Sequence, residues 1–174
     1  MNAVMFTLGC LVAMYGISMA AAGDEASGVE LSADVSQRLA DLEAQCAARP
    51  VSADGSSANL YERLGGEERI HVIVREMVRL HHRNPAVRNV VEKYNPDYLA
   101  DVLGRYLVTA TGGPQRYAGP PLAETHAHLH LTSAQFIAGG DDLVAAMTNV
   151  GVSATETLDL MCLLVPLRSQ IAHE

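Results

Sequence analysis

The chain has 174 residues, 49% of them hydrophobic, which is enough for one ordinary domain with a core of its own and an appendage. Twenty acidic residues against twelve basic ones give a formal charge of −8. That balance excludes the basic footprint that nucleic acid or an anionic membrane surface would require. Tryptophan is absent and phenylalanine occurs only twice, so the core is expected to consist of Leu, Val, Ile, Ala and Met. Cys10, Cys46 and Cys162 are too few and too scattered for a disulfide framework or a thiolate zinc site.

Residues 1–23 stand apart. No charge falls between Ala3 and Ala22, and Val4, Met5, Phe6, Leu8, Leu11, Val12, Met14 and Ile17 make a nearly continuous apolar run. It ends in Ser18-Met19-Ala20-Ala21-Ala22-Gly23, small residues that suit signal peptidase. The segment reads as an export signal. A signal anchor is the alternative, because roughly 20 apolar residues are long enough to span a bilayer. The expected location is periplasmic or extracellular, with membrane attachment only through an uncleaved anchor.

Residues 24–59 form an acidic unit with seven carboxylates against Arg38 and Arg49. Val35, Leu39, Leu42 and Cys46 recur at helical spacing and predict one amphipathic helix over 32–48. Pro50 stops it, and 51–58 read as a flexible linker. The preferred reading is a solvated spacer, with a docking or dimerising helix as the alternative.

The folded domain is expected over 60–174. Ile70, Ile73, Val74, Met77 and Val78 mark one buried face of a helix over 67–82, interrupted at Asn84-Pro85. Pro96 opens the next helix, with Leu99, Leu103, Tyr106, Leu107 and Ala110 on one face, and Gly112-Gly113-Pro114 ends it. A short helical piece is expected around 123–126. Thr132 or Ser133 caps a helix bearing Phe136, Leu143, Val144 and Met147, and Ser153 caps the last, with Leu158, Met161, Cys162 and Val165. Pro166 implies a kink or an early end there. No alternating period predicts a strand, so the fold class is all-α, with four main helices and several short ones. Gly139-Gly140 inside a helical pattern suggests close approach of another group.

Histidine is the chemical signal. His126, His128 and His130 share one short segment, but only His126 and His130 align on a helix, and two histidines without a third ligand are weak evidence for zinc. From spacing alone these read as solvated loop residues.

Longer motifs carry more. Tyr61-Glu62-Arg63-Leu64-Gly65-Gly66-Glu67 resembles the opening of a group I truncated haemoglobin, and 111–119, Thr-Gly-Gly-Pro-Gln-Arg-Tyr-Ala-Gly, resembles that family's glycine-rich loop before the proximal histidine. The series continues through His126, Leu131-Thr132, Phe136, Gly151-Val152 and Val165-Pro166-Leu167. The resemblance implies a two-over-two helical sandwich around a haem, with a trimmed first helix and a mostly extended loop in place of the usual proximal helix. It implies His126 as the axial ligand of the iron of haem b (iron protoporphyrin IX), its other ring nitrogen donating to a backbone carbonyl or water. Leu107, Leu131, Phe136, Leu143 and Leu164 fall where the family packs apolar atoms on the porphyrin. Arg116, Tyr117, Lys93 and Tyr94, with Arg105 behind them, are the candidates for the propionates. His128 and His130 have no family role.

The chain departs from the family on the distal side. Val78 stands where the family has a tyrosine that hydrogen-bonds bound oxygen, Leu99 and Leu103 replace polar partners, and Val90 and Val91 replace the phenylalanines that wedge the haem. With Met77 these residues predict an apolar distal pocket. His81 and His82 lie one turn further on and are read as helix-end surface residues, with a bend toward the iron as the alternative. The function implied is reversible binding of a diatomic gas (O2, CO or NO), with room for an electron-transfer partner. The alternatives are an NO dioxygenase or peroxidase-like enzyme, or a degenerate globin-fold interaction module without haem. Cys46 and Cys162 are read as unpaired, with Cys162 facing the core; their pairing in an oxidising compartment after signal removal is the alternative.

Overall fold

A computed structural model describes residues 33–48 and 59–172. The expected export signal or anchor (1–23), the linker (51–58), Cys10 and His173 lie outside the described residues.

Helix α1, Ala33–Ala47, is followed by α2, Leu60–Arg63, and α3, Gly66–His81. Gly65 and Gly66 join these last two with φ of +92° and +77°, the left-handed region in which an L side chain would be strained. A single turn, α4 (Arg88–Val91), follows Asn84-Pro85. Helix α5, Pro96–Ala110, begins as expected, with proline in its first turn and Asn95 accepting from the Tyr98 amide. After an irregular stretch come α6, Leu122–His126, and a 3-10 turn over Ala127–Leu129. Thr132 then opens α7, Ser133–Asn149, through a reciprocal capping box with Gln135. Ser153 caps α8, Ala154–Leu164. Pro166 ends it by forcing a 3-10 turn, Val165–Leu167, before α9, Arg168–Ile171.

Helix α3 is the centre of the fold, packed on α5 and on α7, while α7 meets α8. The resulting two pairs of helices enclose one core, in which Ile70, Ile73, Val74 and Val78 of α3 meet Val108, Met147 and Leu160. Among the described residues no strand forms, and one isolated parallel bridge ties Leu131 to Ala172.

The two glycine motifs meet in space. Tyr61 donates its amide to Thr111 O (3.0 Å), Asn59 donates to Gly112 O (2.6 Å), and the Tyr61 ring lies on Gly113. A Cβ at Gly113 would stand 2.4 Å from that ring. Gly113→Ala must therefore displace the ring, and a destabilisation of about 1–3 kcal/mol is expected in urea unfolding; an unchanged midpoint would remove this contact from the account.

Polar groups fasten the helices. Arg63 of α2 grips Glu156 (2.9 Å) and Asp159 of α8, and those two carboxylates raise the guanidinium pKa. Glu76 of α3 takes bonds from Arg79 (2.6 Å) and from Asn149 of α7 (2.8 Å), which lower its carboxyl to about 2. What this carboxylate contributes is fully present above the ordinary carboxylate pKa of 4.5, declines as pH falls below it, and is gone once pH has fallen through about 2.

Two expectations are corrected. Helix α1 is not a solvated spacer, since it lies on α7 and α8. Leu39, 7% exposed, packs with Ile137 and Val165, and Val35, Leu42 and Phe136 pack around them; Arg38 pairs with Asp141 at 2.5 Å. Nor are Cys46 and Cys162 unpaired, because they form a disulfide with Cα atoms 5.2 Å apart. The apolar stripe of α1 that carries Leu39 and Leu42 also carries Cys46, so docking that stripe on α8 delivers the sulfur to Cys162. Cys162, half-buried, faces α1 instead of the core.

Candidate functional site

The site is built on α6. Pro121 presets the entry to this helix, and Thr125 bonds back to Pro121 O through its amide (3.0 Å) and its hydroxyl (3.1 Å). One helical turn then sets His126 above Leu122, and His126 Nδ1 lies 2.8 Å from Leu122 O. A carbonyl only accepts, so Nδ1 carries the proton and Nε2 keeps a lone pair. The half-buried ring is thereby fixed in the tautomer and plane that a metal ligand needs. Helix α9 packs against α6, while the left-handed backbone at His130, φ +48°, turns the chain toward α7.

The other sequence candidates divide into groups. Met77, Val78, Leu107 and Leu143 are buried in the main core, with Leu99, Leu103 and Leu164 half-buried against it. On α5, Leu99, Leu103 and Leu107 are spaced by four and make one stripe. Val91 and Leu131 are half-buried. Phe136 packs elsewhere, against the cluster formed by Leu39, Ile137 and Val165 under α1. Arg116 pairs with Glu67 of α3 (3.2 Å). Tyr117 donates to Pro120 O (2.8 Å) and meets Tyr106 edge-on at 5.4 Å; burial, then the neighbouring Tyr117, raises the Tyr106 phenol. Lys93 sits 5.3 Å from the centre of the Tyr94 ring, and the Tyr94 hydroxyl lies 3.1 Å from His128 Nε2. Sequence reading gave His128 no role because this pairing spans 34 residues. Two surface hollows, of about 210 and 450 Å³, lie elsewhere, beside His71 and Asp97 and beside Arg63 and Gly151.

His81 and His82 are not surface residues. His81 and Asp142 are each 13% exposed and lie 2.7 Å apart, and Asn84 donates to both Asp142 oxygens (3.0 and 3.1 Å). A Cβ at Gly139 would make only ordinary contact with the His81 ring (3.8 Å), whereas one at Gly140 would stand 3.1 Å from the Met161 methyl, so close approach bears on Gly140 alone. His82 folds back so that Nδ1 donates to Val78 O at 2.9 Å, and its Nε2 is buried without a hydrogen-bond partner. Polar valence of this kind inside a protein calls for an explanation.

These features fit a haem. An oriented imidazole offers one ring nitrogen, and apolar side chains of α3, α5, α7 and α8 are of the kind that would line a flat macrocycle. An orphaned nitrogen, His82 Nε2, stands one turn from Val78 on α3. An all-helical two-over-two sandwich carrying such a histidine is of the globin class. Residues 59–173 match the family described as bacterial-like globin. The chain belongs to this family, as a group I truncated globin. A group 1 truncated haemoglobin from Tetrahymena thermophila is 28% identical over 94 residues, covering 54% of this chain and 78% of that protein. The crystal structure of truncated haemoglobin from Tetrahymena pyriformis in its Fe(III) form has a TM-score of 0.63 at 22% identity, covering 66% of this chain and 98% of that one. A substituted variant of the same protein gives 0.64 at 22% identity, covering 67% and 99%. Those structures share the fold, and haem binding is what family membership implies.

Proposed function

We propose that this chain is a haem-binding globin that reversibly binds a diatomic gas on an apolar distal side. The observation that carries the reading is the 2.8 Å bond from His126 Nδ1 to Leu122 O, which orients the ring so that Nε2 would hold the iron of a haem. Haem b would supply the iron and an open coordination position for O2, CO or NO. Leu99, Leu103, Leu107, Leu131, Leu143 and Leu164 would exclude water from the porphyrin faces. Arg116, Tyr117, Lys93 and Tyr94 would meet the propionates, with Glu67 holding the Arg116 guanidinium.

Val78, 2% exposed, offers no hydrogen-bond donor, nor do Met77, Val91, Leu99 or Leu103. Such a lining favours gas binding over NO dioxygenase or peroxidase chemistry, which uses polar donors to stabilise developing charge. His82, one turn from Val78, is the nearby polar group, with Nδ1 bonded to Val78 O and Nε2 buried without a hydrogen-bond partner. The Cys46–Cys162 bond suits an oxidising compartment and so supports export or membrane anchoring through residues 1–23.

Haemin titration of the purified full chain tests this reading. The expected result is a Soret band that saturates at one equivalent and a ferrous form that takes up CO. A chain that develops no such band is a globin-fold module without haem.

A further inference from the structure

The Cys46–Cys162 bond lies at one end of a mechanical path to His126. Helix α1 has one buried residue, Leu39, with Val35 and Leu42 packed beside it on Ile137 and Val165, and among its further ties are an exposed ion pair between Arg38 and Asp141 and the disulfide. Exposed ion pairs hold little, and a 15-residue helix with so narrow an apolar face is marginal alone. The covalent bond adds to these contacts by holding α1 beside α8 at high effective concentration. Leu39 bears on Val165, the first residue of the 3-10 turn leading into α9. Arg168 of α9 donates to Ser133 at the start of α7 (2.9 Å), and α9 packs against α6, which carries His126. Both cysteines are half-buried, so neither residue is sealed in the core.

We propose that Cys46–Cys162 is a thiol-exchange site for a dithiol reductant, and that opening it releases α1 and loosens the α9–α6 support of the proximal histidine. A thiolate of the reductant attacks one cysteine sulfur, forming a mixed disulfide and expelling the other cysteine as thiolate. The second thiol of the reductant then resolves the mixed disulfide. The protein gains two thiols, and the reductant leaves as a disulfide, having given up two electrons and two protons. The release of α1 is independent of haem, whereas its effect on haem retention rests on the reading of His126 above.

The test compares the full chain before and after dithiothreitol, with alkylation counting free thiols, by amide hydrogen exchange and by haem transfer to an excess of apomyoglobin. In the reduced chain, amides of residues 33–47 should exchange about tenfold faster, with a smaller acceleration at 122–126 and 165–171. Haem loss should be roughly fivefold faster, the lower end of ordinary coupling between sites. Cys46→Ser in oxidised protein should match the reduced wild type; if that variant does not fold, the reduced wild type alone decides. A disulfide that dithiothreitol does not open in the folded chain overturns the proposal. So does continued protection of 33–47 with both thiols alkylated, or release of 33–47 with exchange at 122–126 unchanged. A chain that takes up no haemin overturns the function reading alone, because the exchange comparison still decides whether the latch exists.

Discussion

Serine in place of Cys46 is expected to lower the unfolding free energy by about 3 kcal/mol. The bond joins residues separated by 116 positions, and for loops near that length the chain entropy removed from the unfolded state is worth about 4–5 kcal/mol at 25 °C. Part of this is returned, because the reduced folded chain lets α1 leave α7 and α8 and so regains freedom of its own. Urea unfolding with and without reductant measures the difference. Cys162→Ser should give the same loss, and the double substitution nothing further, since either change removes the same cross-link. Equal midpoints for oxidised and reduced wild type would mean that the cross-link contributes nothing to the stability of the globin domain.

Tyrosine in place of Val78 is expected to slow oxygen dissociation roughly tenfold to a hundredfold, the effect of one hydrogen bond of about 1–3 kcal/mol. The hydroxyl would enter a distal side that has no donor at positions 77, 78, 91, 99 or 103. CO dissociation, which gains little from a polar partner, should change far less. Val78 is 2% exposed, so the larger ring also strains the core, and a stability cost of about 1–3 kcal/mol accompanies the gain. Stopped-flow dissociation of both gases reads the ratio. Slowing of the two by the same factor would point to steric closure, and no change would remove Val78 from the distal wall.

The long helices were legible because each carries its own local instructions. Apolar spacing set the inner face of α3, Pro96 and Asn95 opened α5, and Thr132 with Gln135 opened α7. His126 could be picked out from its neighbours only through the longer motifs around it, since its pairing with Leu122 O depends on a five-residue helix too short to show periodicity. Contacts distant in sequence left no such signal. Cys46 and Cys162 look unrelated until α1 docks, and a histidine beside a helix end looks solvated until Asp142, 61 residues away, is brought to it. Likewise Phe136, placed on the porphyrin by resemblance, also packs with the α1 cluster, a contact that nothing in the domain's own motifs announces.

The central claim is that His126 Nε2 binds haem iron, and His126→Gly with added imidazole tests it most directly. The variant should lose haem affinity by more than about 100-fold, since even partners one bond removed from a metal are felt on that scale. Millimolar imidazole should restore the Soret band and the ferrous CO spectrum, because the small ligand can enter the space left by the side chain. An unchanged haem spectrum in the variant without imidazole would contradict the assignment and move the axial ligand to another residue.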